Sequence, residues 1–241
     1  MTHITVATWN AGPGKVDDLR GLLDIPDLIA LAGQEWGDRS HDLSAAAKRL
    51  DWHEIDGKID GQPHHKGLSS TPVFAAPHAE VRHELAKLLL PRRFIGIGAG
   101  PDHNKPKGAV GARVRAGGPV VGVASTHLVA SSYRPLRRKA AADHIAGLLR
   151  AFDHRRVPWF VCGDFNTTPD NRLLRPLYAA GWTNTHREGG TLATHGRRAI
   201  DFIWWRKDPR VRFLGHRTVA THSDHRALVA RFEVRGGADR G

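Results

Sequence analysis

Short apolar runs of strand length recur from one end of the chain to the other, and segments with helical spacing fall between them. Ile4 to Trp9 is β-branched, and Leu28 to Gln34 is a short apolar run that follows Pro26. Pro72 to Ala76, Phe94 to Gly98, Ala109 to Arg115, Val120 to Thr126, Val157 to Cys162, Ala199 to Trp205, Val211 to Gly215 and Arg226 to Val234 read the same way. Helices are predicted over Lys15–Asp24, where Val16, Leu19, Leu22 and Leu23 recur at helical spacing, and over His41–Leu50 and Asn171–Ala180. The clearest helix is Arg134–Phe152, with Leu136, Ala140, Ile145, Leu148 and Leu149 among basic residues. Many strands with a few covering helices imply a two-sheet core flanked by helices, an α/β (α+β) class. Asp56 to Ser70 reads as an exposed loop rich in Gly, His, Lys and Ser. No repeat or linker divides the chain, so 1–235 is expected to form a single domain and 236–241 a disordered tail.

Charge narrows the partners. Lys and Arg number 36 against 24 Asp and Glu, a net +12 with neutral His. Such a field concentrates polyanions, with nucleic acid, DNA or RNA, the first candidate and anionic lipid or a small phosphorylated substrate the others. Lys105 and Lys107 in DHNKPKG, and Arg134, Arg137 and Arg138 in RPLRRK, are candidate phosphate contacts. The same residues would serve equally as a solvated surface. Cys162 is the one cysteine, which excludes an intrachain disulfide. The opening MTHITVATWN lacks a signal-peptide pattern, and no apolar run approaches the roughly 18 residues of a membrane span. A cytoplasmic monomer is expected.

Six polar clusters stand at the ends of the apolar runs: TWN (Thr8–Asn10), QE (Gln34, Glu35), TH (Thr126, His127), GDFN (Gly163–Asn166), ID (Ile200, Asp201) and SDH (Ser223–His225). Their carboxylates and amide oxygens suit a hard cation such as Mg²⁺ or Mn²⁺. Their histidines suit proton transfer or contact with a phosphoryl oxygen. If the GDFN strand runs to its end, Asp164 and Asn166 share one face and Phe165 takes the other. The competing reading of GDFN is an Asx turn. Asp201, a carboxylate inside an apolar strand, requires a cation or a histidine as partner. Trp204 and Trp205 follow it; one ring is expected in the core, the other packed at a second face or open as a stacking platform. His64 and His65 are expected in solvent, and Cys162 in the core as a small apolar residue.

The order Asn, Glu, His, Asp-x-Asn, Asp, Asp-His over Thr8 to His225 resembles the endonuclease/exonuclease/phosphatase (deoxyribonuclease-I-like) superfamily. The resemblance implies a four-layered α/β sandwich, with two mostly antiparallel sheets flanked by helices. It implies Glu35 as main metal ligand with Asn10 beside it and Asp224 as a further metal-side carboxylate. Asp164 then positions or deprotonates the attacking water, and Asn166 orients that water or the phosphate. His225, oriented by Asp201, contacts the scissile phosphate or moves a proton, and His127 is the second phosphate-contacting histidine. One departure stands out: GLSSTPVFAAP carries no acid or Tyr where many nuclease members have one, so the partner expected for His127 is missing or supplied from elsewhere.

The function that follows is a divalent-metal-dependent hydrolase of phosphoester bonds, foremost a nuclease. A phosphatase or phosphodiesterase acting on a small-molecule, inositol or lipid phosphoester is the alternative enzyme. A catalytically silent nucleic-acid-binding module is the alternative of another class.

Overall fold

The computed structural model describes residues 1–36, 41–57, 71–90, 107–130, 135–153 and 156–236. Two six-stranded sheets form its centre. The first runs β11 (Val211–Val219), β12 (Ala227–Val234), β1 (Thr2–Asn10), β2 (Leu28–Gln34), β4 (Val73–Ala75), β3 (His53–Ile55). The second runs β5 (Glu80–Leu90), β6 (Lys107–Arg115), β7 (Val120–His127), β8 (Trp159–Asp164), β10 (Asp201–Arg206), β9 (Trp182–Asn184). Each sheet holds one parallel pair, β1 with β2 and β7 with β8, and its other pairs are antiparallel.

Period-2 alternation sorts each strand between two cores. In β1, Ile4 and Val6 enter the core between the sheets, whereas Ala7 and Trp9 face outward. That outer face is covered by α1 (Val16–Leu23) and α2 (His41–Arg49), through Leu19, Leu22, Leu43 and Ala46 packed with Trp9, Leu31 and Phe74. On the second sheet, Trp159, Val161, Phe202 and Trp204 face α3 (Pro135–Phe152) and α4 (Arg175–Ala179). The result is the four-layered sandwich that the resemblance implied. Trp204 is fully buried against α4 and Trp205 lies between the sheets beside Phe213 and Phe232, so neither ring is an open platform. Cys162 is buried, and burial pushes its thiol pKa up, consistent with a packing role. No helix among the described residues is long and apolar enough to cross a membrane.

The structure also departs from expectation. β5 is the longest strand, yet EVRHELAKLLL carries the Glu, Lys, Ala and Leu of a helix; pairing with β6 overrides that preference. β3, β9 and α5 (Thr185–Gly189) are three to five residues long, too short to show a period. The helix predicted over Asn171–Ala180 is divided into a 3-10 turn, Arg172–Leu174, and α4. Asn171 caps the first by accepting from Leu173 N, and Pro176 opens the second. The predicted strand Phe94–Gly98, His64, His65, Lys105, Arg134 and the residues beyond Gly236 lie outside the described residues.

Candidate active site

The inner rows of five strands change from apolar to polar at the same end of the sandwich. Val6 gives way to Thr8 and Asn10 in β1, and Ala32 to Gln34 in β2. Val123 gives way to Ser125 and His127 in β7, and Cys162 to Asp164 in β8. β10 begins at Asp201 before Ile203 and Trp205. The parallel pairs send the C-terminal ends of β1, β2, β7 and β8 to that end together. A buried layer lies below it: Thr8 Oγ1 donates to Gln34 Oε1 (3.1 Å), Gln34 Nε2 to Ser125 Oγ (3.0 Å), and Ser125 Oγ to Gly33 O (2.6 Å). These bonds tie one sheet to the other beneath the catalytic candidates, which gives Gln34 a bracing place.

Above this layer, Asn10 Nδ2 donates to Glu35 Oε1 (3.1 Å) and Asp164 Oδ2 (3.2 Å). Asn10 Oδ1 is buried with no hydrogen-bond partner among the described residues. Asp164 Oδ1 accepts from Asn166 N at 2.7 Å. β8 ends at Asp164, so Asn166 does not continue the strand face; it enters the site from a left-handed turn, φ 51. The Asx turn weighed in the sequence is therefore present, and it is the device that delivers Asn166. Its Nδ2 lies 3.0 Å from His127 Nε2 and donates to Leu128 O. His127 Nε2 also stands 3.6 Å from Asp164 Oδ2 and 3.9 Å from Glu35 Oε1. Among the described residues, Asn166, Asp164 and Glu35 thus approach the imidazole. Glu35 also adopts a left-handed conformation, φ 54. Gly163 lies where a Cβ would stand 1.8 Å from the Thr126 carbonyl oxygen, so only glycine lets β7 and β8 close at this point.

Asp201 has the partner its burial demands. It is fully buried, and its Oδ2 lies 2.9 Å from His225 Nδ1. His225 Nε2 in turn lies 3.9 Å from Asp164 Oδ2. Burial alone would lower the His225 pKa, but the hydrogen bond and charge of Asp201, then Asp164 and Asp224, push it up to about 9. Burial and the Asp201 charge push Asp164 up to about 7, against the lowering by His225, the Asn166 N–H and Asn10. At neutral pH the site holds a cationic imidazole beside a carboxyl poised to take or lose a proton.

His195 was missed in the sequence. It begins the turn His195–Arg198, which brings its Nε2 to 3.4 Å from Asp224 Oδ2 and its ring to 4.5 Å from that of His225. Thr194 Oγ1 accepts from Ile200 N and Asp201 N (both 3.2 Å), so the same turn braces Asp201. A His-Gly pair just before the strand that begins with Asp201 was the available signal. Asp224 is exposed, accepts from Ser223 Oγ at 3.3 Å, and faces Gly12 together with Asn10: a Cβ there would lie 3.3 Å from Asp224 Oδ1 and 3.8 Å from Asn10 Oδ1. Lys107 opens β6, and Arg137 and Arg138 lie in the first turn of α3.

Residues 34–225 match the Endonuclease/Exonuclease/phosphatase family. No curated protein matches the sequence. Among solved structures, an endonuclease/exonuclease/phosphatase from Bacteroides vulgatus is 20% identical with TM-score 0.69, over 98% of this chain and 100% of that one. D. rerio TDP2, complexed with single strand DNA product, is 13% identical with TM-score 0.73, over 97% and 100%. The human Nocturnin catalytic domain with bound sulfate anion is 18% identical with TM-score 0.65, over 96% and 94%. At these identities the likeness is one of fold.

Proposed function

This chain belongs to the endonuclease/exonuclease/phosphatase family, and from that premise we propose that it is a divalent-metal-dependent nuclease hydrolysing DNA or RNA phosphodiester bonds. The observation that carries the proposal is the meeting of the Asn10–Glu35 pair, Asp164 and the Asp201–His225 pair at one end of the sandwich. The preference for nucleic acid is supported by the +12 charge, and by TDP2, a protein of this fold complexed with a single-stranded DNA product.

The residues present fit a hard cation. Asn10 Oδ1 is a buried oxygen without a donor, and the space left by Gly12 lies between it and Asp224. Glu35, Asn10 and Asp224 would hold Mg²⁺ or Mn²⁺, which supplies Lewis-acid polarisation of a phosphoryl oxygen. Asp164 as carboxylate orients the attacking water and accepts its proton, while Asn166 fixes the carboxylate through its N–H and orients the water or phosphate. Asp201 holds the proton of His225 on Nδ1 and stabilises the imidazolium. His225 Nε2–H then meets the charge that builds on the phosphate, and His127 contacts a second phosphoryl oxygen.

The test is hydrolysis of plasmid DNA, single-stranded DNA, RNA and a small phosphomonoester in parallel, with Mg²⁺, Mn²⁺ or EDTA, and Asp164→Asn as control. Polynucleotide cleavage abolished by EDTA, and at least roughly a hundredfold slower in the variant, is expected. Hydrolysis of the phosphomonoester alone would replace the nuclease with a phosphatase. Silence toward every substrate with either metal would refute the enzyme and leave a binding module.

A further inference from the structure

At the end of the sandwich away from the catalytic candidates lies a cavity of about 370 Å³, lined by Arg115, Arg156, Arg210 and Arg235 and, among the described residues, by no acid. The four arginines come from separate parts of the chain: the end of β6, the segment before β8, the segment before β11 and the residue after β12. Asp208 and the Arg156 carbonyl fix the Arg210 side chain: its Nη2 donates to Asp208 Oδ2 at 2.6 Å, its Nε to Oδ1 at 3.0 Å, and its Nη1 to Arg156 O at 3.1 Å. Arg156 and Arg235 are exposed and Arg115 is half-buried. Gly118 packs directly against the Thr2 side chain in the cavity wall, where a Cβ would collide with it.

Arg210 is already paired with Asp208, so it is the exposed Arg156 and Arg235 whose like charges converge on the concavity at a cost that a bound anion relieves. Guanidinium forks match phosphate oxygens in bidentate geometry, and the volume suits a short run of phosphates. We infer that this arginine-lined cavity is a second, non-catalytic site for a phosphate-bearing anion. The eight residue steps of β1 from Thr2 to Asn10, at about 3.3 Å each, separate it from the catalytic groups by about 26 Å. A ligand that reaches both sites must span that distance, as a polynucleotide backbone does, whereas a short free polyphosphate would occupy this cavity alone.

Arginine modification by phenylglyoxal, read by mass spectrometry in EDTA, tests the site locally. Saturating tripolyphosphate is expected to slow modification of Arg156 and Arg235 at least tenfold while leaving the exposed Arg217 and Arg231 unchanged. Equal reaction at all four with and without tripolyphosphate overturns the site. A 12-nucleotide single strand and a tetranucleotide then separate the sources, an arm that rests on the nuclease reading as the tripolyphosphate arm does not. If the 12-mer alone also protects, and Arg156→Gln/Arg235→Gln flattens its salt dependence by about 1.4 in log–log slope relative to Arg217→Gln/Arg231→Gln, the ligand is a polynucleotide backbone. If tripolyphosphate protects and neither oligonucleotide does, the ligand is a free polyphosphate.

Discussion

If the chain hydrolyses phosphodiesters as proposed, replacing Asp201 by Asn should move the whole pH profile of that activity toward acid, not merely lower it. The 2.9 Å contact between His225 Nδ1 and Asp201 Oδ2 is the chief force holding His225 near 9 against burial. Relative to an ordinary histidine that is worth roughly 3 kcal/mol of preference for the imidazolium. Activity in the proposed mechanism requires Asp164 as carboxylate and His225 as cation, so the wild-type rate should rise through about 7 and fall through about 9. The Asp201→Asn change keeps the shape of the side chain and removes its charge. If His225 then returns to about 6.5, its cationic fraction at pH 8 falls from about 90% to about 3%, roughly a thirtyfold loss. Near pH 6 His225 is mostly cationic in both proteins, and losing the Asp201 charge also lowers Asp164, so the deficit there should shrink to about twofold or less. Steady-state kcat/KM from pH 5 to 10, on whichever polynucleotide the parallel hydrolysis test shows to be cleaved, is the assay. A falling limb that stays near 9, or a loss equal at every pH, would refute the reasoning.

Other expectations follow from the same geometry. Gly163→Ala would place a Cβ 1.8 Å from the Thr126 carbonyl oxygen; denaturant unfolding should show a loss of about 3 kcal/mol or more, and a change within 1 kcal/mol would contradict the close approach of β7 and β8. Glu35→Gly relieves a left-handed non-glycine conformation, so stability should be unchanged or rise by up to about 1 kcal/mol while metal-dependent hydrolysis is lost. A clear drop in stability would mean that the Glu35 conformation is not strained. Burial, helped by Lys107, holds His144 near 3, so between about 6.5 and 3 the unfolded chain binds a proton that the folded one excludes. Stability should fall as pH drops through that window by at most about 1.4 kcal/mol per unit, and His144→Gln, which retains a donor toward Thr126 Oγ1, should flatten the decline in urea titrations.

Where the apolar period was clean, the fold could be read in advance. β2 and the helices α1 and α3 fall within a residue or so of their predicted bounds: β2 is an unbroken apolar run between Pro26 and the polar Gln34, α1 has a clear apolar face, and α3 is long. β5 was hidden by a helix-like composition at a sheet edge, where strand identity comes from the neighbouring β6 and not from local preference. In the site, residues that end regular strands, Asn10, His127 and Asp164, were legible because each interrupts an apolar row. Asn166 was legible in identity and wrong in geometry, since a left-handed turn leaves no periodic mark. His195 escaped because its relation to Asp224 and His225 is made by a turn far along the chain from them.

The pairing of β1 with β12 bears on how the protein is made. Thr2 lies opposite Val234 and Thr8 opposite Leu228, so β1 gains one of its two neighbours only from β12, far along the chain. Of the catalytic candidates, Asp224 and His225 directly precede that closing strand. A chain emerging from the ribosome therefore carries Asn10 and Glu35 long before Asp164, and all three before the imidazole that completes them. Contacts of such long sequence separation also slow the final step of folding. Under the proposed function, fragments that end before β12 should therefore be hydrolytically silent.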